Sequence, residues 1–364
     1  DNPWSSESRI DSVRMEDGSF STDQETILKR WKSEYSKLFK LDNTLVNDTF
    51  IDNLSELTEQ LEREFNSVTD EDDEILAAEL FNENISIEET EEAMRLVKLG
   101  KAVGVDNLPN EILCNKILTV PLQKLFDMCF THGIVPSPWC QSIIHPILKD
   151  GKDYRDPLGY RGISLMSTVA KMFSSILNRR LTSYFERNNT LCNEQNGFRK
   201  MRSCLDHIYT LCTILRNRKL MKLDTHICFI DFSKAFDSVN HTYLWHKLVK
   251  AGVYGNMLRT IQSMYTNLQS CVRLNGTLTD WFSVETGVRQ GDNLAPILFS
   301  LFINDLTTDI NALNCGIRLD TNFEISTLLY ADDIVLMSDT ENGQQKQLTA
   351  LDNWSVKWSL QVNC

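Results

Sequence analysis

The chain has 364 residues, 42% of them hydrophobic, enough to bury a core in two or more compact units and to exclude overall disorder. Its 37 lysines and arginines stand against 50 acids, a net charge of -13 that, taken as an average, argues against a polyanionic partner. The average conceals an asymmetry. Residues 1–100 hold 10 basic and 26 acidic side chains, a charge of -16, while the other 264 hold 27 and 24, a charge of +3. Within these, residues 161–260 reach +10, the first hint of a surface that faces a polyanion.

Ten cysteines, at 114, 129, 140, 192, 204, 212, 228, 271, 315 and 364, are scattered without a CxxC pair or a His/Cys cluster. They read as buried thiols in a reducing compartment rather than as a disulfide framework or a zinc site. No apolar run approaches the length of a membrane span, and the N-terminus shows no charged-then-apolar signal. The expectation is a soluble, intracellular protein. Because the sequence starts at Asp1 and stops at Cys364 just after an amphipathic stretch, it also reads as a fragment of a longer chain.

In chain order, residues 1–22 are polar and aperiodic. A helix is expected from Asp23 to Phe39, with Ile27, Leu28, Trp31, Tyr35, Leu38 and Phe39 on an apolar face that must pack on something. Acidic stretches at Asp70–Glu74 and Glu88–Glu92 suggest helices with solvated faces and a linker near Asp70. From about Val97 the texture becomes mixed, punctuated by Gly100, Gly104, Pro136 and Pro138. A helix from about Ser167 to Phe185 buries Val169, Phe173, Ile176, Leu177, Leu181 and Tyr184. A strand over Thr225–Asp231 is followed by helices near Thr242–Lys250 and Met257–Leu268. Asn275-Gly276 reads as a hairpin turn between Cys271–Leu274 and Trp281–Val284. A helix from about Leu294 to Ile310, a second hairpin centred on Asp332-Asp333, and a helix from about Gln344 to Trp358 complete an α+β pattern.

The sharpest chemical signal is Leu328-Leu329-Tyr330-Ala331-Asp332-Asp333-Ile334-Val335-Leu336-Met337, two adjacent acids between two strand-forming apolar runs. A sheet core does not tolerate paired ionised carboxylates, so they lie at a turn or face cations. Two magnesium ions about 4 Å apart, held by such oxygens, can grip both the attacking and leaving oxygens of a phosphoryl transfer. A second site of this kind is Asp231, at the end of Ile227-Cys228-Phe229-Ile230, with Asp237 six residues later as metal-side acid or helix cap. The third is Gly287-Val288-Arg289-Gln290-Gly291-Asp292, where two glycines flank two polar side chains before an apolar helix. Each has an ordinary alternative: an acidic turn, a capping aspartate, and a loop with Asp292 or Asn293 as helix cap.

Together, in this order, the segments closely resemble the palm of reverse transcriptases, most of all those of non-LTR, LINE-type retrotransposons. The resemblance is specific over 140–364 and looser over 20–139. Phe229-Ile230-Asp231-Phe232-Ser233-Lys234-Ala235-Phe236-Asp237 is similar to that family's first catalytic motif, and Tyr330-Ala331-Asp332-Asp333 to its second. The resemblance implies that Asp231, Asp332 and Asp333 are catalytic metal ligands, with Asp332 the more directly bound of the pair. It also implies that Phe236 blocks a ribose 2′-hydroxyl and that Arg289, Gln290 and Gly291 contact template and incoming nucleotide. Pro146-Ile147-Leu148-Lys149 with Tyr160-Arg161-Gly162-Ile163-Ser164-Leu165 is similar to the family's finger strands, where Lys149 and Arg161 would hold the triphosphate; surface charge on a loop is the plainer reading of either cation. Asn193-Glu194-Gln195-Asn196-Gly197-Phe198-Arg199 resembles the segment closing over the template. Gly162 and Ala295 depart from the family's more usual proline and serine.

The fold this implies is α+β: right-hand polymerase palm and fingers, an acidic, mainly helical connector at 1–95 ahead of fingers and palm at 96–364, and the thumb absent. The implied activity is RNA-directed DNA polymerisation by two-metal nucleotidyl transfer from dNTPs to a primer 3′-hydroxyl, with two Mg2+ ions, or Mn2+ in their place. Its partners would be an RNA template, a DNA primer, dNTPs, and the endonuclease and thumb regions of a full-length polyprotein, with no membrane. Nuclear action after cytoplasmic assembly is the corresponding location. Two alternatives stand beside it: an inactive nucleic-acid-binding remnant, and a group II intron-type maturase.

Overall fold

The computed structural model describes residues 9–41, 48–67, 81–319 and 323–363, and two compact units emerge, each assembled from three separate stretches of chain. The linker expected near Asp70 lies outside the described residues. Unit 1 comprises 1–41, 83–176 and 256–293; unit 2 comprises 42–82, 177–255 and 294–364.

The helices are α1 Gln24–Leu38, α2 Asp48–Ser67, α3 Ile87–Arg95, α4 Asn110–Leu113, α5 Thr119–His132, α6 Thr168–Arg187, α7 Cys204–Leu220, α8 His241–Lys250, α9 Gly255–Tyr265, α10 Ala295–Asn311 and α11 Glu341–Lys357. The strands are β1 Val13–Arg14, β2 Phe20–Ser21, β3 Gln141–Leu148, β4 Tyr160–Met166, β5 His226–Ile230, β6 Phe232–Ser233, β7 Gln269–Leu274, β8 Thr277–Leu278, β9 Phe282–Ser283, β10 Ile317–Arg318, β11 Glu324–Ile325, β12 Thr327–Tyr330, β13 Asp333–Ser338 and β14 Gln361–Val362.

Unit 1 is built on a five-stranded sheet in the order β4-β3-β7-β8, with β9 also pairing β7. Strands β3 and β4 are antiparallel with Leu148 opposite Tyr160, whereas β3 and β7 run parallel. Helix α1 begins where Asp23 accepts from the Thr26 N–H, an N-cap that satisfies an otherwise orphaned donor. Its apolar face finds the packing partner that the pattern requires. Trp31 meets Tyr160 edge to face at 4.9 Å, and Tyr35 lies over Gly162. A Cβ at Gly162 would come within 2.8 Å of the Tyr35 ring and 2.9 Å of Ile144, so a residue with a side chain does not fit beneath this helix.

The stretch read as aperiodic over 1–22 contains the β1–β2 hairpin. Two residues per strand are too few to show a period, and the hairpin is held by long-range contacts: Arg14 pairs with Asp156 at 2.6 Å and its N–H bonds the Arg155 carbonyl. Helix α6 starts under Asp106, whose carboxylate accepts from the Ser167 hydroxyl at 2.7 Å and the Thr168 N–H at 2.9 Å. Phe173 in its first half stacks on Phe126 and meets Trp139 in the unit 1 core.

Unit 2 centres on an antiparallel sheet ordered β12-β13-β5, with α10 as its buried helix. Leu298, Phe299, Phe302, Ile303, Leu306 and Ile310 are all inaccessible, as expected of a helix apolar on every side. Lys247 of α8 is buried among the rings of Trp358, Phe302 and Trp354, with Asp305 at 2.7 Å. Burial holds its ammonium pKa down at about 8 despite the carboxylate beside it. Helix α7 had no clear signature because its apolar residues lie all round: Ile214 is buried in a cluster with Ile317, Leu328 and Met337, whereas Leu205 and Tyr209 are exposed. Its start is fixed by a Ser203–Asp206 capping box.

No helix among the described residues is long and apolar enough to cross a membrane. If the α1 contact is what excludes side chains at position 162, Gly162→Ala should cost about 1–3 kcal/mol of stability by overpacking. That penalty should shrink in a Tyr35→Ala background; urea unfolding of the four variants measures the coupling, and strict additivity would remove Tyr35 as the cause.

Candidate active site

The acid at 231 follows a strand whose Ile227-Cys228-Phe229-Ile230 sequence suits a pleated surface. Strand β5 pairs β13 with Ile230 opposite Ile334 and Phe229 opposite Val335. Asp231 follows directly on the paired Ile230, and Asp333 directly precedes the paired Ile334, so both acids leave the ladder at the same end. Strand β13 in turn pairs β12, with Tyr330 opposite Asp333. The hairpin therefore turns on Ala331 and Asp332, one residue earlier than its expected centre at Asp332-Asp333. Ala331 takes the left-handed conformation, φ 59°, and is buried. Asp333 is the first residue of β13 and is exposed, as is Asp231; Asp332 is partly buried. Asp231 and the adjacent pair Asp332-Asp333, a hundred residues apart in sequence, thus come to one end of one sheet.

Two further segments fasten this end. Strand β14 pairs β6, and Asn363 just beyond it donates its backbone N–H to the Asp231 carbonyl at 2.8 Å and its side-chain amide to the Asp231 carboxylate at 3.1 Å. On the other edge, residues 194–197 run alongside β12. The Leu329 N–H bonds the Glu194 carbonyl and the Asn196 N–H the Leu329 carbonyl, both at 2.9 Å. Gln195, 1% exposed, sends its carboxamide to the turn: Oε1 accepts from Ala331 N at 2.9 Å and Gly197 N at 2.8 Å, and Nε2 donates to Ala331 O at 3.2 Å. His207 Nε2 faces the carbonyls of Glu194 and Leu329 at 3.0 and 2.9 Å, which assigns the ring proton to that nitrogen. Arg199 is buried, bonding the Cys192 carbonyl and pairing with Glu186, whose carboxyl it holds below the ordinary glutamate range.

Phe236 is half-buried, stacked on Phe299 at 4.5 Å and edge-on to Phe198 at 6.2 Å. Packing between two rings fixes its direction. Asp237 sits in a short 3-10 turn, Ala235–Ser238, and does not cap α8; Asn240 does, accepting from the Tyr243 N–H. The asparagine occupies the position just before the first helical residue, where a capping oxygen must stand.

The remaining expected residues belong to unit 1. Arg161 stands opposite Ile147 in the β3–β4 pair, and Lys149 follows Ile147 by two, so the alternation of the pleat puts both cations on one face of this hairpin. Arg161 is exposed, Lys149 partly so, and neither forms an ion pair among the described residues. Arg289 is different. Its guanidinium is buried, donating to the Trp139 carbonyl at 2.8 Å and to Asp292 at 3.1 Å. Asp292 is thereby an ion-pair partner and no helix cap; α10 starts after Leu294 without a side-chain cap. Gln290 joins the loop to β4, its carbonyl accepting from the Ser164 N–H at 2.8 Å.

Among the described residues no three His, Cys, Asp or Glu side chains form a ready-made ion cage. Magnesium does not need one: it is held by one or two carboxylates, with waters and substrate phosphates completing the octahedron. Hard carboxylate oxygens on facing strands at an open sheet end fit that requirement.

The family model for reverse transcriptase (RNA-dependent DNA polymerase) matches residues 147–364. The chain belongs to this family. It is 29% identical over 295 residues to the probable RNA-directed DNA polymerase from transposon BS of Drosophila melanogaster, covering 77% of this chain and 31% of that protein. It is 29% identical over 289 residues to the RNA-directed DNA polymerase from mobile element jockey of Drosophila funebris, with the same coverage. A Pol polyprotein from the type-1 retrotransposable element R2 of Bradysia coprophila is 28% identical over 242 residues, 66% of this chain and 27% of that protein. The resemblance to LINE-type reverse transcriptases is borne out, and the chain spans about a third of the length of these relatives.

The buried pair yields a test of what Arg289 does. Arg289→Met leaves the Asp292 carboxylate buried without its partner and should cost about 3–5 kcal/mol, while Arg289→Met with Asp292→Leu should lie closer to the parent. Chemical denaturation of the three variants measures this; an undiminished loss in the double variant would show that the pair is not what stabilises the loop.

Proposed function

We propose that this chain is the fingers-and-palm region of an RNA-directed DNA polymerase that extends a DNA primer with dNTPs on an RNA template. The observation that supports the reading is the β5–β13–β12 pairing, Ile230 opposite Ile334 and Tyr330 opposite Asp333, which brings the strand end before Asp231 beside the turn carrying Asp332 and Asp333. Family membership supports it. Asp231 and Asp332 would hold Mg2+, or Mn2+ in its place, with Asp333 supporting. When bound, such ions activate the primer hydroxyl and neutralise charge on the leaving pyrophosphate.

The chain's own residues have distinct parts. Lys149 and Arg161, on one face of the β3–β4 hairpin, neutralise the triphosphate. Gln290 and Gly291 meet template and nucleotide, while Arg289, with its guanidinium committed inward, shapes their loop. Phe236, wedged between Phe198 and Phe299, occupies the space of a 2′-hydroxyl and offers it no polar partner. Residues 1–95 serve as the acidic connector, 96–364 as fingers and palm, with no thumb assigned to any of these residues. The polyprotein's other regions are its partners, and its work is nuclear.

In the protein carrying this region, Asp332→Asn should lower RNA-templated primer extension by more than about a hundredfold, since loss of groups merely supporting a metal already costs 10–100-fold. Template affinity should stay within about twofold, because phosphate contacts supply it. Retained extension would sink the assignment of Asp332. A parent that binds template yet adds no nucleotide under Mg2+ or Mn2+ would favour a binding remnant.

Phe236→Val should relax discrimination against ribonucleotides by roughly ten- to a hundredfold, the range that shape changes in an apolar pocket command. The measurement is the ratio of kcat/KM for a dNTP and its ribonucleotide counterpart. Unchanged discrimination would reduce Phe236 to a packing residue.

A further inference from the structure

We propose that Gln195 is a positioning residue for the acidic hairpin: its carboxamide reads both backbone groups of Ala331 and so sets the direction in which Asp332 and Asp333 leave the turn. The inference rests on the polymerase reading for its consequence, and on unit 2 alone for its geometry.

A carboxamide has the donor and acceptor complement of a peptide group, and here it is used as one. Oε1 accepts from Ala331 N while Nε2 donates to Ala331 O, so a single side chain pairs both faces of a single residue. At the tip of an ordinary two-residue hairpin those groups meet water. Ala331 is 6% exposed, so without Gln195 both would be left unsatisfied in a buried setting. Ala331 also holds φ 59°, a conformation an L-residue keeps only when its surroundings dictate it.

The rest of the segment is built to deliver that amide. Residue 197 must be glycine, because a Cβ there would lie 2.3 Å from Ala331 N and 3.0 Å from Ala331 Cα. Gly197 N in turn donates to Gln195 Oε1, fixing which end of the carboxamide is oxygen. The parallel bridge between Gln195 and Leu329, and the His207 Nε2 proton shared between the Glu194 and Leu329 carbonyls, lock the two strands in register. At 1% exposure Gln195 is out of reach of any nucleic-acid base, so a template contact does not explain it. The motif's other amide, Asn196, faces His207 Nδ1 and does not touch the turn.

Gln195→Met keeps length and volume and removes both hydrogen bonds to Ala331 and the one from Gly197 N; Gln195→Glu keeps the acceptor but lacks the donor unless its carboxyl is protonated. Three readouts separate positioning from general packing: hydrogen exchange of the 328–336 peptide, primer extension resolved into kcat and KM for dNTP, and template affinity. For Gln195→Met, exchange at the turn should rise at least about tenfold and kcat fall about 10–100-fold, with KM and template affinity within about twofold. Gln195→Glu should regain activity relative to the parent as pH is lowered from about 8 toward 6, as the buried carboxyl becomes neutral and donates to Ala331 O. That rescue carries the test should the methionine variant not fold.

Extension by Gln195→Met at the parental rate, or a loss of kcat only in step with template affinity and thermal stability, would overturn the proposal. So would unchanged exchange at the turn. If the parent itself extends no primer while Gln195→Met still loosens the 328–336 peptide, the polymerase reading fails and the clamp on the turn stands.

Discussion

Three carboxylates stand at the end of one sheet, and the need to keep such groups hydrated or partnered organises the structure around them. Ionised acids cannot be buried without partners, so the strands that carry them must end where they do and keep Asp231 and Asp333 at the surface. Exposure alone would leave the turn free to splay. The end is instead held by backbone: β13 is paired on both sides, β6 continues the chain past Asp231 into a second pairing with β14, and residues 194–197 close the outer edge of β12. Amide side chains complete the arrangement. Asn363 donates to the Asp231 carboxylate and Gln195 engages the turn, both neutral groups that add no charge to a site already crowded with it.

The same logic explains the contrast between the two kinds of cation. Lys149 and Arg161 stand on a strand hairpin with no ion pair among the described residues, which leaves their charge available to an anion. Arg289 and Lys247 are the opposite case, each buried with an aspartate and a backbone carbonyl. Such groups are costly to isolate and therefore hold their surroundings in one arrangement rather than reaching for a ligand.

Much of this was legible in the sequence, and the parts that were not share a cause. The apolar spacing from Ile27 to Tyr35 and the cap at Asp23 are local, and α1 forms as they require. The alternation of apolar runs around Asp332-Asp333 gives a hairpin, but composition does not say which residue takes the positive φ; an alanine was chosen by its contact with Gln195, 136 residues away. The inward turn of Arg289 depends on the Trp139 carbonyl, 150 residues distant. Asn363 lies beside Asp231 only because β14 pairs β6. The glycine at 162 is likewise intelligible only once Tyr35 is seen above it. Residue types announced the acids; their supports are fixed by tertiary neighbours that no local pattern encodes.

Each compact unit draws on three stretches of the chain, so the order in which residues leave the ribosome differs from the order in which either unit can close. Strand β7, which joins β3 to β8 and β9, is made more than a hundred residues after β3, and α1 waits through that interval for part of the surface it covers. Unit 2 waits longer still: the β6–β14 pair beside Asp231 cannot form until Gln361 and Val362 have been synthesised. The acidic sheet end is therefore completed late in unit 2, and nascent chains stalled before that point would display the carboxylates without the strand that steadies them.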